Sequence, residues 1–373
     1  MTTEHTLSRN NDAPSGDRPP RVLIVRIGAM GDVLHAMPAV AALRELHPEW
    51  VIGWAIEPMW SELLQAAEDF NRNPYSERSA NKPLVDVWHR IPAKMWSERP
   101  FALSTISDIN ATRRELRMGE FDICVDMQGS LKSAVVGWMV GVKTFVGPAE
   151  PREAPARWLY RQQVPMNAAH VVEQGCELLG AAVGETLRPA KVTLPVDAAA
   201  EQWCDVLLSD AGKKFALMAP TAGWGAKQWP AERYGAVAAK LASAGFHTLV
   251  NAASSADAVG RRVVEASGGS AKLVPCSLGQ MIALVRRAGV VIAGDTGPLH
   301  LAAALERPVV GLYGPTDPAR NGPYGTTSRV LRHGSSQVDH SRHQETEEGL
   351  LQITTDEVIE AALELLRGEQ DKV

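Results

Sequence analysis

Several common signals are missing from this chain, and each absence removes a class of function. No apolar run approaches the roughly 20 residues that span a bilayer; the longest, such as 134–142, fall well short, so any membrane contact is expected to be peripheral. Four cysteines, Cys124, Cys176, Cys204 and Cys276, stand without CxxC spacing. That pattern offers neither a zinc knuckle nor a disulfide framework, and reads as reduced, buried thiols of a cytosolic protein. Basic residues are in deficit, 38 against 43 acids for a net charge of −5, so nothing draws the chain toward nucleic acid as a whole. The motif HSRH at 340–343 has no carboxylate or cysteine support and lies in a polar stretch, which argues against a metal there.

The first twenty residues are polar and rich in Pro, Asn and Ser, with no apolar centre of the kind a signal peptide needs. Residues 1–20 are read as a disordered tail. Beyond them, 373 residues at 45% hydrophobic content suffice for two domains, each with its own core.

What is present is a repeated strand–turn–helix pattern. RVLIVRI, from Arg21, ends at glycines and leads into apolar residues with helical spacing, Val33, Met37, Val40 and Ala41. Pro38 lies inside that helix and must kink it or begin a second one. VIGWAI, FDICVDM and KTFVG continue the alternation with helices between them. A second series starts at KFALMAP, with a helix over 231–244 stopped by Gly245, then HTLVNA, VVIAG and PVVGLYG. Ser277 and Gln280 have capping-box spacing at the start of another helix. Alternating strands and helices imply parallel sheets covered on both faces, an α/β class. The halves meet between 189 and 210, giving domains of 21–192 and 193–350. The helix at 356–367 can pack on either half, and 351–373 is set apart as a segment able to return to the N-terminal domain. Residues 71–82, NRNPYSERSANK, have no periodicity and read as an exposed insertion or candidate lid.

Three turns carry candidate chemistry, and each follows a strand, where open α/β sheets collect ligands. GAMGD, 28–32, places Gly31 and Asp32 at a helix start; glycine allows close approach and the helix N-terminus favours anions, while an acid there also stabilises the helix dipole. This turn lacks the third glycine and the downstream acid of the dinucleotide fingerprint, which disfavours a nicotinamide enzyme. TAGWGAKQWP, 221–230, sets Thr221 and Lys227 among small residues, a suitable place to meet phosphate. GDTGPLH, 294–300, offers backbone amides and the Thr296 hydroxyl for a diphosphate, with Asp295 placed to cap the helix or accept from a sugar hydroxyl, and His300 one turn on.

RVLIVRIGAMGDVLHAMPA, DMQGSLKSA, REAPARWLY, KQWP and GDTGPLHLAAALERPVVGLYGPTDP occur in that order over residues 21 to about 325. Together they resemble bacterial lipopolysaccharide heptosyltransferases of glycosyltransferase family 9, and DMQGSLKSA with REAPARWLYRQ is similar to heptosyltransferase I. The resemblance implies a GT-B architecture, two Rossmann-like domains across a cleft, the N-terminal one for the acceptor and the C-terminal one for ADP-heptose. It implies an inverting transfer of heptose to a Kdo–lipid A acceptor, without cofactor or metal, on the cytoplasmic face of the inner membrane. By motif position Asp32 matches the general base. Lys227, Thr296 and Gly297 match donors to the departing diphosphate, with Thr221, Asp295 and His300 in the same pocket. Gly31, Gln128, Lys132, Arg152 and Arg117 are expected on the acceptor side, among a wider basic set of Lys94, Arg99, Arg113 and Arg114. Trp96, Trp158 and Tyr160 are available to a lipid interface or to the core.

One departure concerns the nucleotide. Relatives carry glutamates after the NAA-type strand, one of them on the adenosine ribose, whereas this chain reads NAASSADA, leaving Ser254, Ser255 or Asp257 for that role. At this level the alternatives stay open: a heptosyltransferase II-like or other sugar transferase using a different glycan or protein acceptor, or a non-catalytic nucleotide-sugar-binding protein.

Overall fold

A computed structural model describes residues 18–67, 77–209, 214–339, 341 and 343–368. Most of the expected tail and part of the 71–82 insertion lie outside the described residues. In the insertion's described end residues 77–80 are exposed, as expected, while Ser79 and Lys82 form a β-bridge and the buried Lys82 donates from Nζ to the Asp86 carbonyl at 2.6 Å.

Two six-stranded sheets, every pair parallel, make up the frame. The first holds β1 (Arg21–Val25), β2 (Val51–Ile56), β3 (Val87–Arg90), β4 (Ile123–Asp126), β5 (Thr144–Pro148) and β6 (Gln162–Val164), in the order β3-β2-β1-β4-β5-β6. The second holds β7 (Phe215–Ala219), β8 (His247–Ala252), β9 (Ala271–Pro275), β10 (Val290–Gly294), β11 (Val309–Tyr313) and β12 (Ser328–Arg332), in the order β12-β11-β10-β7-β8-β9. Counted from its own first strand, each has the Rossmann order, so the expected GT-B pair of Rossmann-like domains is the observed fold. The central strands are buried along their whole length, as strands covered on both faces must be.

In each sheet the strand order reverses between two neighbours, β1 and β4 in the first, β7 and β10 in the second. Loops leaving the carboxyl ends of such a pair splay apart and open a crevice. The GAMGD and DMQGS turns leave β1 and β4, and TAGWGAK and GDTGPLH leave β7 and β10. The motifs are scattered over more than half the chain, and topology gathers them at the two switch points.

Three helices fix how the halves meet. Helix α1 (Met30–Leu46) follows β1, and α10 (Gly297–Ala304) follows β10. Pro38 sits inside α1 without ending it, and its carbonyl accepts from Ala190 N at 3.1 Å in the connection between domains. Helix α5 (Val171–Val183) packs on α1. An apolar cluster including Val33, Met37 and Leu43 of α1, Leu179 of α5, Ile282 of the helix α9 (Leu278–Arg287) and Leu301 of α10 is shared by both domains. The edges hold by polar contacts: Glu62 accepts from Gly279 N at 2.7 Å, and His170 Nε2 lies 3.0 Å from the Gly322 carbonyl.

The Ser277–Gln280 capping box forms as expected. The helix at 231–244 appears as α7 (Ala231–Ser243), followed by Gly245 at a φ of +86°. The final helix α13 (Thr355–Gly368) corrects one expectation: it lies on the second sheet and α7, not on the N-terminal domain. Val358, Ala361, Ala362, Leu365 and Leu366 form its buried stripe. That stripe completes the core beneath β10 and β11, and Trp229 Nε1 clamps the approach by donating to the Ile353 carbonyl at 3.2 Å.

Candidate active site

The two switch points face each other at the N-termini of α1 and α10, and glycine makes the approach possible. A Cβ on Gly31 would lie 2.7 Å from His300 Cδ2, and one on Gly297 would lie 2.5 Å from Met30 Sδ. Neither position therefore accepts a larger residue without displacement across the domain boundary. Gly31 is used for domain contact, a role the acceptor-side expectation did not include.

Asp32 is the third residue of α1. One of its oxygens accepts from Ala29 N at 3.2 Å, and the other lies 3.1 Å from an Arg26 guanidinium nitrogen. The helix-start role is thus real. Yet the side chain remains 38% exposed, so it can still meet a substrate hydroxyl. Arg26 is anchored on the Met127 carbonyl of the β4 loop and so ties that loop to Asp32.

Lys227 and Asp295 come together on the donor side. Lys227 Nζ lies 2.5 Å from Asp295 Oδ2 and 3.3 Å from its carbonyl, and 5.1 Å from the centre of the Trp224 ring. The turn carrying Lys227 is held from behind by the His343 carbonyl, which accepts from Ala226 N at 3.1 Å. Asp295 is not a helix cap: Thr296 occupies that position, and its hydroxyl donates to the Gly294 carbonyl. Instead Asp295 Oδ1 lies 2.9 Å from His300 Nε2. Burial alone would raise this carboxyl, but the His300 imidazole that donates to it and the Lys227 ammonium outweigh burial and hold it well below the carboxylate range. The amides at the start of α10, with the Lys227 donor beside them, form a corner suited to a diphosphate.

Thr221 is exposed on the loop after β7, on the same edge. Asp257 caps the helix α8 (Ala258–Ala266), accepting from Gly260 N at 2.7 Å, while Ser254 and Ser255 are exposed beside it at the end of β8.

The acceptor-side expectations divide. Lys132, at the start of the helix α4 (Leu131–Val140), and Arg152, whose backbone crosses close to Gly129, are exposed at the carboxyl edge of the first sheet. Gln128 is occupied otherwise: its Oε1 accepts from Ile27 N at 2.9 Å and Gly28 N at 3.3 Å, so it shapes the first turn. Arg117 is misplaced by the expectation. It ends the helix α3 (Leu103–Met118), which runs back to the amino edge before β4, and donates to the Met139 carbonyl away from the cleft. Of the three aromatics, only Trp158 is well exposed, at 75%. Trp96 donates to Asp108, and Tyr160 is buried, donating to Asp126.

Sequence reasoning passed over Asp126 and His35. Asp126 is fully buried and accepts from Gln128 N, Gly129 N, Ser133 Oγ and Tyr160 Oη, a hub that sets the β4 turn. Its signal was an acid at the end of an otherwise apolar strand. His35 lies three residues after Asp32, and its Nε2 is 3.1 Å from His300 Nδ1 in the other domain. Among the described residues, no group of three or more His, Cys, Asp or Glu is arranged to hold a metal ion.

Known proteins resemble this chain in sequence and in overall fold. Lipopolysaccharide heptosyltransferase 1 of Escherichia coli is 30% identical over 316 residues, 84% of this chain and 93% of that protein. The protein of the same name from Pseudomonas aeruginosa is 26% identical over 309 residues, 82% of this chain and 81% of its own length. A match to lipopolysaccharide heptosyltransferase 2 of Salmonella typhimurium, 30% identical, spans only 39% of this chain. The structure of the E. coli heptosyltransferase WaaC with ADP superposes with a TM-score of 0.73 at 25% identity, covering 92% of this chain and 99% of that one. The profile of glycosyltransferase family 9 (heptosyltransferase) matches residues 109–351. With two Rossmann-like domains whose glycine turns meet at the domain boundary, this chain belongs to glycosyltransferase family 9, the heptosyltransferases.

Proposed function

We propose that this protein transfers a heptose from ADP-heptose to the Kdo–lipid A inner core, with inversion, in lipopolysaccharide synthesis. The observation that carries the reading is the meeting of the two helix N-termini. The Asp32 carboxylate lies at the start of α1 and Lys227 pairs with Asp295 just before α10, and these two helix starts touch across the domain boundary. A full-length relative named heptosyltransferase 1 supports the acceptor assignment, and a WaaC structure with ADP-2-deoxy-2-fluoro heptose supports the donor.

In the reaction, the acceptor oxygen attacks the anomeric carbon from the face opposite the diphosphate, its proton passes to Asp32, and the carbon–oxygen bond to ADP breaks with both electrons leaving on ADP. Arg26 orients Asp32. Charge grows on the departing β-phosphate, where Lys227, the Thr296 hydroxyl and the Gly297 amide stabilise it. These donors would take the place of a divalent ion, so the reaction is proposed to need none. Thr221, His300 and Asp257 line the donor side, with the 254–257 turn in place of the relatives' ribose-binding glutamate. Lys132 and Arg152 meet the acceptor's carboxylates and phosphates.

No helix is long and apolar enough to cross a membrane among the described residues. Contact with the inner face of the inner membrane is proposed through the outer side of α4. There Leu131, Val135 and Trp138 are exposed, with Trp158 on the adjoining 3-10 turn Ala154–Trp158 and Lys132, Arg157 and Arg161 around them.

The test is ADP release from ADP-heptose and Kdo–lipid A in EDTA. Turnover by the wild type that falls by about 10²–10⁴ in Asp32→Ala, the range for a lost general base, is expected. Absence of turnover despite donor binding would overturn the acceptor assignment, and turnover lost in EDTA would overturn metal independence.

A further inference from the structure

A chain of hydrogen bonds crosses the domain boundary from α1 to the donor corner. His35 Nε2 lies 3.1 Å from His300 Nδ1, His300 Nε2 lies 2.9 Å from Asp295 Oδ1, and Asp295 Oδ2 lies 2.5 Å from Lys227 Nζ. His35 is 9% exposed and His300 5%.

The chemistry of the groups gives this chain a direction. Lysine ammonium only donates and an ionised carboxylate only accepts, so His300 must carry a hydrogen on Nε2 to meet Asp295. In the neutral form of His300 that hydrogen is the only one on the ring. Its Nδ1 then accepts, and His35 must donate from Nε2. Which ring nitrogen holds the proton is set by the partner of the other, as for histidines that orient ligands elsewhere.

We propose that His35 is a positioning residue of the donor site. By donating to His300 it fixes that ring's tautomer and orientation, and through it seats Asp295 and Lys227 where the diphosphate is met. The acceptor-side domain thus completes the donor site, and only when the two domains are together. This rests on the reading of Lys227 and Asp295 as donor-side residues.

Packing alone does not require a histidine here, because an aliphatic side chain would fill the space without the cost of burying a polar ring. The groups facing His35 also favour the neutral donor. Burial above all holds His35 well below the ordinary histidine range, and His170 and Arg26 act in the same direction against a smaller opposing pull from Asp295. His170 approaches from the start of α5, with ring centroids 6.0 Å apart.

The test uses the full chain with His35→Gln, His35→Asn and His35→Leu. A glutamine amide reaches the place of Nε2, asparagine falls short, and leucine fills the space without a donor. Expected is a loss in kcat/KM for the donor of about 10- to 100-fold, as for other residues that orient functional histidines, in Leu and Asn, with weaker ADP binding by calorimetry. Gln should recover most of it, and the acid limb of the kcat/KM profile should move in all three. Wild-type kinetics and pH profile in His35→Leu, or a Gln variant as defective as Leu, would overturn the proposal. Lys227→Ala is run beside them. If it turns over normally, the donor-site reading itself fails; if it is inactive while His35→Leu is normal, only the role of His35 falls.

Discussion

Lys227 Nζ and Asp295 Oδ2 stand 2.5 Å apart at the second sheet's switch point, although 68 residues separate them in the chain. Both are largely buried, at 15% and 6% side-chain exposure. Removing one member of such a pair leaves an uncompensated charge and costs about 3–5 kcal/mol, whereas replacing both can be nearly neutral. Lys227→Met is therefore expected to lose stability in urea unfolding and about 10²–10³ in kcat. Adding Asp295→Asn should restore much of the stability and none of the activity. Activity returning together with stability would contradict a role for Lys227 at the diphosphate.

Acid should act on the fold through the same carboxylate. Asp295 is depressed by His300 and Lys227 against its burial. A depressed carboxyl stabilises the folded state above the unfolded value of about 4 and loses that contribution as pH falls toward the folded value. The wild-type melting temperature should decline below about pH 4, and Asp295→Asn, less stable at neutral pH, should show a flatter decline. Parallel curves for the two proteins would count against the ion pair.

His35 adds a dependence nearer neutrality. Burial, with His300 and His170, lowers its proton affinity in the folded state, so below the unfolded value of about 6.5 the unfolded chain binds a proton that the native state refuses. Stability should fall as pH drops below about 6.5, and melting curves of His35→Gln should fall less over the same range. His170, also lowered by burial, contributes to the remainder.

The glycine contact between domains can be tested by adding one methyl group. A Cβ at Gly297 would sit 2.5 Å from Met30 Sδ and 3.0 Å from Met30 Cβ, and overpacking of this kind costs about 1–3 kcal/mol. Gly297→Ala should be destabilised in urea, and Met30→Ala in the same chain should bring the pair below the sum of the single effects. Strict additivity would mean that the helix starts do not touch in solution.

The outer side of α4 should bind lipid. Trp138 and Trp158 are 55% and 75% exposed beside basic residues. Trp138→Ser with Trp158→Ser should reduce co-flotation with vesicles containing anionic lipid while leaving turnover of a water-soluble acceptor intact. Unchanged flotation would move the membrane face elsewhere on the protein.

Much of the frame is legible in the sequence. Buried parallel strands need continuous apolar runs, and RVLIV and VVIAG are such runs; helix starts need local caps, and Ser277 with Gln280 supplies one. The glycine turns were legible as ligand-facing because each follows a strand. The destination of α13 was not, since its apolar stripe fits any uncovered sheet, and the space beneath β10 and β11 is visible only once the second domain is assembled. Arg117 read as acceptor-facing because a basic residue carries no mark of which sheet edge it reaches, and the direction of α3 settles that.

Local chemistry along the chain therefore determined the two Rossmann-like halves and the turns that could face a ligand, while the resemblance to the heptosyltransferases singled out Asp32, Lys227 and Asp295 within those turns as candidate site groups. The pairing of those groups was decided by tertiary structure alone. Asp295 looked like a helix cap because its partners, Lys227 and the His300–His35 chain, come from loops and a helix that only the switch points of two sheets bring within hydrogen-bond reach. A hydrogen bond is specified within about 3 Å, and at separations of 68 and 265 residues that precision belongs to the folded arrangement of both domains.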